Sequence, residues 1–216
     1  MSRDIFEFWS QIGRGEHIHP ADKKVFERMR SEKHGFRLDC LPGCFGGRLR
    51  DAPIVLLYLS PGFSKADVAD AQSEEGKDFY FRRYQGYESP RDLGAAKSSW
   101  ITSRTKRFGN WDAIKDKIAL LNIGAYHSVD VKSFASLLAL PSSRVSLDWA
   151  QDVLFPDAEA DKRVVICMRS AAYWGLEQGR KYKGSLFAPI VNRSGHFLKN
   201  EENRRLVDIV QSRCGG

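Results

Sequence analysis

Three short polar clusters hold the residue types from which chemistry could be built. Ser60-Pro61-Gly62 places a hydroxyl on a forced turn. Asn122, followed by Tyr126-His127-Ser128, supplies a carboxamide, a phenol, an imidazole and a second hydroxyl. Asn192-Arg193-Ser194-Gly195-His196 supplies another carboxamide, a guanidinium and another imidazole. A carboxamide sets a donor beside an acceptor, so it can read the edge of a planar heterocycle. A hydroxyl can hold a water but is a far poorer base than a carboxylate. The nucleophile elbow G-x-S-x-G is missing, and so is the P-loop G-x-x-x-x-G-K-[ST]. The glycine-rich stretch Gly43 to Gly47 precedes a strand instead of following one. It is a poor phosphate loop and reads as backbone turns.

Each cluster follows an apolar run. Ile54 to Leu59 is nearly unbroken and stops at Ser-Pro-Gly, as a strand buried on both faces does. Ile118 to Gly124 and Arg163 to Met168 read the same way, and Ser185 to Val191 is a weaker fourth strand. Between them the spacing predicts helices over Asp4 to Ile12, Pro20 to Ser31, Val131 to Leu140 (stopping at Pro141), Val145 to Leu154, Ala171 to Leu176 and Asn200 to Gln211. Residues 35 to 53 read as irregular, packed under the first strand. A polar-aromatic segment, Asp78 to Tyr87, and a basic one, Lys97 to Phe108, lie between the first two strands. Strands separated by helices imply right-handed crossovers. The expected fold is therefore a three-layer α/β/α sandwich around a small parallel sheet of about four strands. One domain spans residues 1–216. Within it, 1–50 form a helical and loop region packed on the sheet, and 51–200 form the sheet core with the site. Ligands of such sheets bind in the crevice beyond the carboxyl ends of the strands, where all three clusters fall.

The chain has 216 residues, 42% of them hydrophobic, enough for one sizeable core. Aromatic residues reach 12%, which argues against disorder. The formal net charge of +7 favours phosphate-rich partners, although a basic protein with no polyanion partner has the same balance. Four cysteines, Cys40, Cys44, Cys167 and Cys214, make no dense framework, so a reduced, cytoplasmic protein is expected. Cys40 and Cys44 lack the further ligands that a zinc or iron–sulfur site needs. His17-Ile18-His19 has no acidic neighbour beyond Glu16 and reads as a helix-entry loop. No metal and no cofactor are expected. No apolar stretch is long enough to span a bilayer, and the N-terminus lacks a signal-peptide core.

In order and strand context, the three clusters resemble the motifs of the uracil-DNA glycosylase superfamily, over roughly residues 40–200. Leu59-Ser60-Pro61-Gly62 is similar to the family's (Asn/Asp)-Pro-(Gly/Tyr) turn after the first strand. Leu120-Leu121-Asn122 is similar to its Leu-Leu-Asn. Asn192-Arg193-Ser194-Gly195 is similar to its Asn-Pro-Ser-Gly loop. The resemblance implies a monofunctional, metal-free enzyme that hydrolyses the N-glycosidic bond of a flipped, damaged or deaminated base in DNA, including uracil-containing DNA. Such an enzyme extrudes the base and reads its hydrogen-bonding edge. It assigns Ser60, Asn192 and His196 to catalysis, with a donor at Asn192 or His196 meeting the uracil O2. It assigns Pro61, Gly62, Asn122, His127 and the stacking aromatics Phe79 and Tyr80 to substrate binding. Arg193, Ser194 and Gly195 fall in the loop that the family pushes into the duplex.

The sequence departs from the family at two points. Ser60 replaces the Asp or Asn that orients the attacking water, which implies weak excision unless Glu74, Glu75 or Asp78 folds over the site. Arg193 replaces a proline and adds a cation beside the DNA path. Arg104, Lys106 and Arg107, with Arg82, Arg83, Lys97 and interleaved Tyr84, Tyr87 and Trp100, form a basic rim suited to DNA or simply a solvated basic face. Two other functions stay open: a non-catalytic nucleic-acid-binding member of the same fold, and an α/β protein acting on a small nucleotide-like metabolite. The sequence leaves the oligomeric state unknown.

Overall fold

The computed structural model describes residues 4–89, 94–192, 197–198 and 200–215. Among them the strands are β1 (Phe45–Gly46), β2 (Ile54–Tyr58), β3 (Ile118–Asn122), β4 (Val164–Cys167) and β5 (Leu186–Phe187). They form one mixed sheet in the order β1-β3-β2-β4-β5. The pairs β2–β3, β2–β4 and β4–β5 are parallel, and β1 runs antiparallel to β3.

The unbroken apolar runs follow from cover on both faces. Val55, Leu57, Ala119, Leu121, Val165 and Cys167 point into one core, with Phe8, Trp9, Phe45 and Trp174. Their alternates Ile54, Leu56, Tyr58, Ile118, Val164 and Ile166 point into the other, with Ile101, Phe108, Leu206 and Val210. Fully burying one such aliphatic side chain contributes about 1.5–3 kcal/mol, so no strand position on either face can be polar without a reason. The helices Gly94–Thr105 and Glu201–Gly215 supply the second core. The N-terminal helices and the stretch Pro141–Glu159 supply the first.

A polar hub inside the first core fastens the N-terminal region. His19 is fully buried, and its ring stacks on Phe8 with centroids 3.9 Å apart. Its Nδ1 accepts from the Ala21 amide at 3.1 Å, which caps the helix Pro20–Phe26, so the proton sits on Nε2 and is donated to the Phe8 carbonyl at 2.9 Å. Asp22, also fully buried, accepts from the Tyr126 hydroxyl at 2.6 Å and from the Ser142 amide at 3.0 Å. The pair His17 and His19 is thus no metal site: one imidazole is consumed as a cap.

Several expectations need correction. The sheet has a fifth, antiparallel edge strand, because the stretch Gly43 to Gly47 pairs with β3 (Phe45 opposite Leu121) instead of forming only turns. Gly47 has φ +75°, and a Cβ there would lie 2.6 Å from the Ile118 carbonyl oxygen, so glycine permits the close approach. The fourth strand of the sequence reading shrinks to Leu186–Phe187. Pro141 does not end a helix but opens one: Phe134–Leu138 stops short, and Pro141 occupies the first turn of Pro141–Trp149, where its missing N–H costs nothing. That helix continues through a π-helical turn, Ala150–Leu154, into Phe155–Glu159, where Pro156 removes a backbone donor. The polar-aromatic segment is the second half of the helix Glu74–Arg83, followed by a turn through Tyr84 to Tyr87.

Candidate functional site at the carboxyl edge of the sheet

The chain leaves β2 to one side to build β3, then crosses back to build β4 on the other side. This reversal makes the carboxyl ends of β2 and β4 a topological switch point, where the two outgoing loops diverge and leave a crevice.

The loop after β2 is held by the loop after β3. The Ile123 amide donates to Tyr58 O at 3.1 Å, Gly124 to Leu59 O at 2.8 Å and Ser128 to Pro61 O at 3.1 Å. Buried His127 completes the clasp, its Nδ1–H donating to Gly62 O at 2.8 Å. Ser60 is half-buried, with its hydroxyl 3.4 Å from that of Ser128. The chain leaving β2 is therefore positioned by four residues of a different strand's loop, Ile123, Gly124, His127 and Ser128.

One buried carboxylate lies in the first turn of the helix that follows this loop, and sequence reasoning missed it. Asp67 Oδ2 accepts from the Ser64 amide at 2.6 Å and the Ser64 hydroxyl at 2.8 Å, a capping box on the helix Lys65–Gln72. The same oxygen lies 3.6 Å from His127 Nδ1. The spacing Ser64-x-x-Asp67 was the signal available beforehand. The acids that would offset Ser60 by folding over the site are placed otherwise. Glu74 is ion-paired with Lys77 and Arg14, which hold its carboxyl down at about 2, Asp78 is held below its usual range by Arg14, and Glu75 is exposed.

Asn122, the last residue of β3, is buried. Its Nδ2 donates to Gly43 O at 2.8 Å, and its amide donates to Cys44 O at 2.8 Å. It thus pins the segment leading into β1, which uses one of its two carboxamide protons. The expected stacking pair splits. Phe79 is half-buried, whereas Tyr80 is buried in the first core and offers no free face.

Tyr58, the last residue of β2, pairs in register with Asn122 and shares its face of the sheet. It is 6% exposed, and its hydroxyl has no hydrogen-bond partner among the described residues. An unsatisfied buried hydroxyl costs about 1–3 kcal/mol. Burial pushes this phenol well above its ordinary value, against the nearby charges of Arg104 and Arg169. Trp100 lies over it with ring centroids 5.2 Å apart and remains 44% exposed. Arg104 sits on the same helix, half-buried, and Lys106 and Arg107 are exposed just beyond that helix.

On the far side of the switch point, a pocket of about 220 Å³ is lined by Cys167, Arg169, Ser170, Gln178, Pro189 and Asn192, among others. Ser170 holds a left-handed backbone, φ +63°, rare for a residue with a Cβ and a point of local strain. Burial pushes the Cys167 thiol up to about 12, so it is inert at neutral pH. Ser60 and Asn122 do not line this pocket. Ser60, Asn122 and Asn192 thus share one edge of the sheet, but Asn192 is set toward β5 and apart from the other two. Arg193, Ser194, Gly195 and His196 lie outside the described residues.

Among the described residues, no helix is long and apolar enough to cross a membrane, and no group of three or more His, Cys, Asp or Glu is placed to hold a metal ion. Comparison with protein-family models, with curated proteins and with solved structures finds no match.

Proposed function

We propose that this chain is a uracil-DNA glycosylase-like protein that takes a base extruded from DNA into the switch-point crevice and hydrolyses its N-glycosidic bond. The observation that carries the reading is the shared carboxyl edge. Ser60-Pro61-Gly62 and Asn122 follow the parallel strands β2 and β3, and Asn192, five residues past the parallel strand β5, lines the pocket beyond the end of β4. A carboxamide at Asn122, held at Gly43, keeps a second donor and an acceptor for the edge of a pyrimidine. The Ser60 hydroxyl would hold the attacking water. A cationic edge suits a leaving group that departs as an anion.

A second reading, base binding without turnover, is favoured by one observation. The buried carboxylate at the start of the following helix, Asp67, is already committed to Ser64 and His127, so among the described residues it offers Ser60 no unengaged base to activate water. Incubation with single- and double-stranded oligonucleotides carrying uracil and other deaminated bases separates the two. Excision by the wild type, abolished in Asn122→Ala, supports the enzyme. Lesion-selective binding without excision, with activity appearing in Ser60→Asp, supports the binding module. Neither excision nor lesion-selective binding overturns both.

A further inference from the structure

Tyr58, Trp100, Arg104 and Arg169 form a feature that none of the three motifs accounts for. Trp100 is the most exposed tryptophan among the described residues; Trp9, Trp149 and Trp174 are buried and Trp111 is half-buried. Its ring lies against Tyr58 on one side and stays 44% exposed, so it offers a flat apolar surface to solvent. Arg104 lies 5.9 Å from its centroid, one turn further along the helix. Beneath it, the Tyr58 hydroxyl is a buried donor with nothing to donate to among the described residues. Arg169 follows β4, across the switch point, and its charge is felt at the same hydroxyl. An aromatic face, a guanidinium on the same helix and an unused hydroxyl donor thus lie together at the end of β2, with Arg169 near enough beyond β4 for its charge to bear on that hydroxyl.

From this grouping we infer a single-stranded nucleic-acid subsite: an unpaired base stacks on Trp100, and the adjoining phosphate is held by Arg104, Arg169 and the hydroxyl of Tyr58. The inference rests on the nucleic-acid reading above and adds the strand preference. In a duplex the base faces are already stacked on one another, so only an unpaired base can offer its π-face to the indole, and any base can do so. The guanidiniums match a phosphate's geometry, and a phosphate oxygen accepts the one proton that Tyr58 has left to give.

The test uses the full chain with a short oligothymidylate, a duplex of equal length and anionic phospholipid vesicles. Binding is read by anisotropy and by tryptophan fluorescence. Oligothymidylate is expected to quench the fluorescence and to bind at least tenfold tighter than duplex. Trp100→Ala should remove the quench and weaken binding roughly tenfold, the range expected for one stacked base. Arg104→Ala and Arg169→Ala should each lower the slope of log affinity against log salt by about 0.7, one phosphate contact apiece on a single strand. Tyr58→Phe is the decisive variant: it should weaken binding several-fold while leaving the melting temperature unchanged or higher. Wild-type affinity in both Tyr58→Phe and Trp100→Ala overturns the inference, as does equal affinity for duplex or for vesicles. Excision with no dependence on these residues would sink the subsite and leave the glycosylase reading standing. Dependence on them without excision would do the reverse.

Discussion

Two tyrosines stand at the ends of neighbouring strands and are treated in opposite ways. Tyr126, four residues past β3, is 1% exposed, donates to Asp22 at 2.6 Å and accepts from the His19 amide at 3.2 Å. Tyr58, at the end of β2, is nearly as buried and has no hydrogen-bond partner for its hydroxyl among the described residues. Burial raises both phenols above their ordinary value. The Asp22 carboxylate adds to the rise at Tyr126, while Arg104 and Arg169 oppose it at Tyr58. The first tyrosine is a structural joint, and its polar atoms are spent inside the protein. The second faces cations across a crevice and keeps its donor. Burial alone does not mark a functional residue; burial without satisfaction, beside charge, does.

Substitutions that break the joint should be the most damaging. Asp22→Ala strands two buried donors, the Tyr126 hydroxyl and the Ser142 amide, and is expected to cost about 3–5 kcal/mol in urea unfolding, with Asp22→Asn milder because it keeps an acceptor. Tyr126→Phe removes one charge-assisted bond and orphans the His19 amide, for an expected loss of about 2–4 kcal/mol. The identical change at Tyr58 deletes an unsatisfied group and should be neutral or stabilising by up to about 1 kcal/mol. A Tyr58→Phe variant as unstable as Tyr126→Phe would erase the contrast.

A smaller effect is expected from pH. His19 and His34 both have pKa values lowered from 6.5 by burial, and both rings accept a backbone amide at Nδ1, which a proton there would expel. The native imidazoles stay neutral while the unfolded ones take protons. Their contribution is therefore full above pH 6.5 and is lost as pH falls from there toward the lower native values. The urea midpoint should be lower at about pH 5.5 than at about pH 7.5, and replacing His19 by Gln should flatten the difference. An unchanged midpoint would place both rings in solvent.

Much of this organisation is legible in residue order. Ile54 to Leu59, Ile118 to Gly124 and Arg163 to Met168 announce parallel strands because cover on both faces demands apolar side chains at every position. The edge strand Phe45–Gly46 does not, since two residues carry no period and the pairing exists only where β3 arrives. Pro141 is ambiguous by nature: the same ring that cannot continue a helix is well suited to start one. Asp67 escapes notice because the helix Lys65–Gln72 that it caps carries little apolar period, and even a cap says nothing about the imidazole from a distant loop that settles against it. Tyr80 and Phe79 sit side by side in the chain, and only packing decides that one is interior.

The order of residues alone determines the α/β class, the parallel centre of the sheet and the edge from which the polar loops emerge. All three follow from local hydrophobic period and from the handedness of crossovers. Which polar groups meet there is a tertiary matter: His127 at Gly62, Asn122 at Gly43, Asp22 at Tyr126, and Tyr58 left with none. Hydrogen bonds form between groups brought within about 3 Å of each other. Partners separated by scores of residues acquire that proximity only when the sheet has closed.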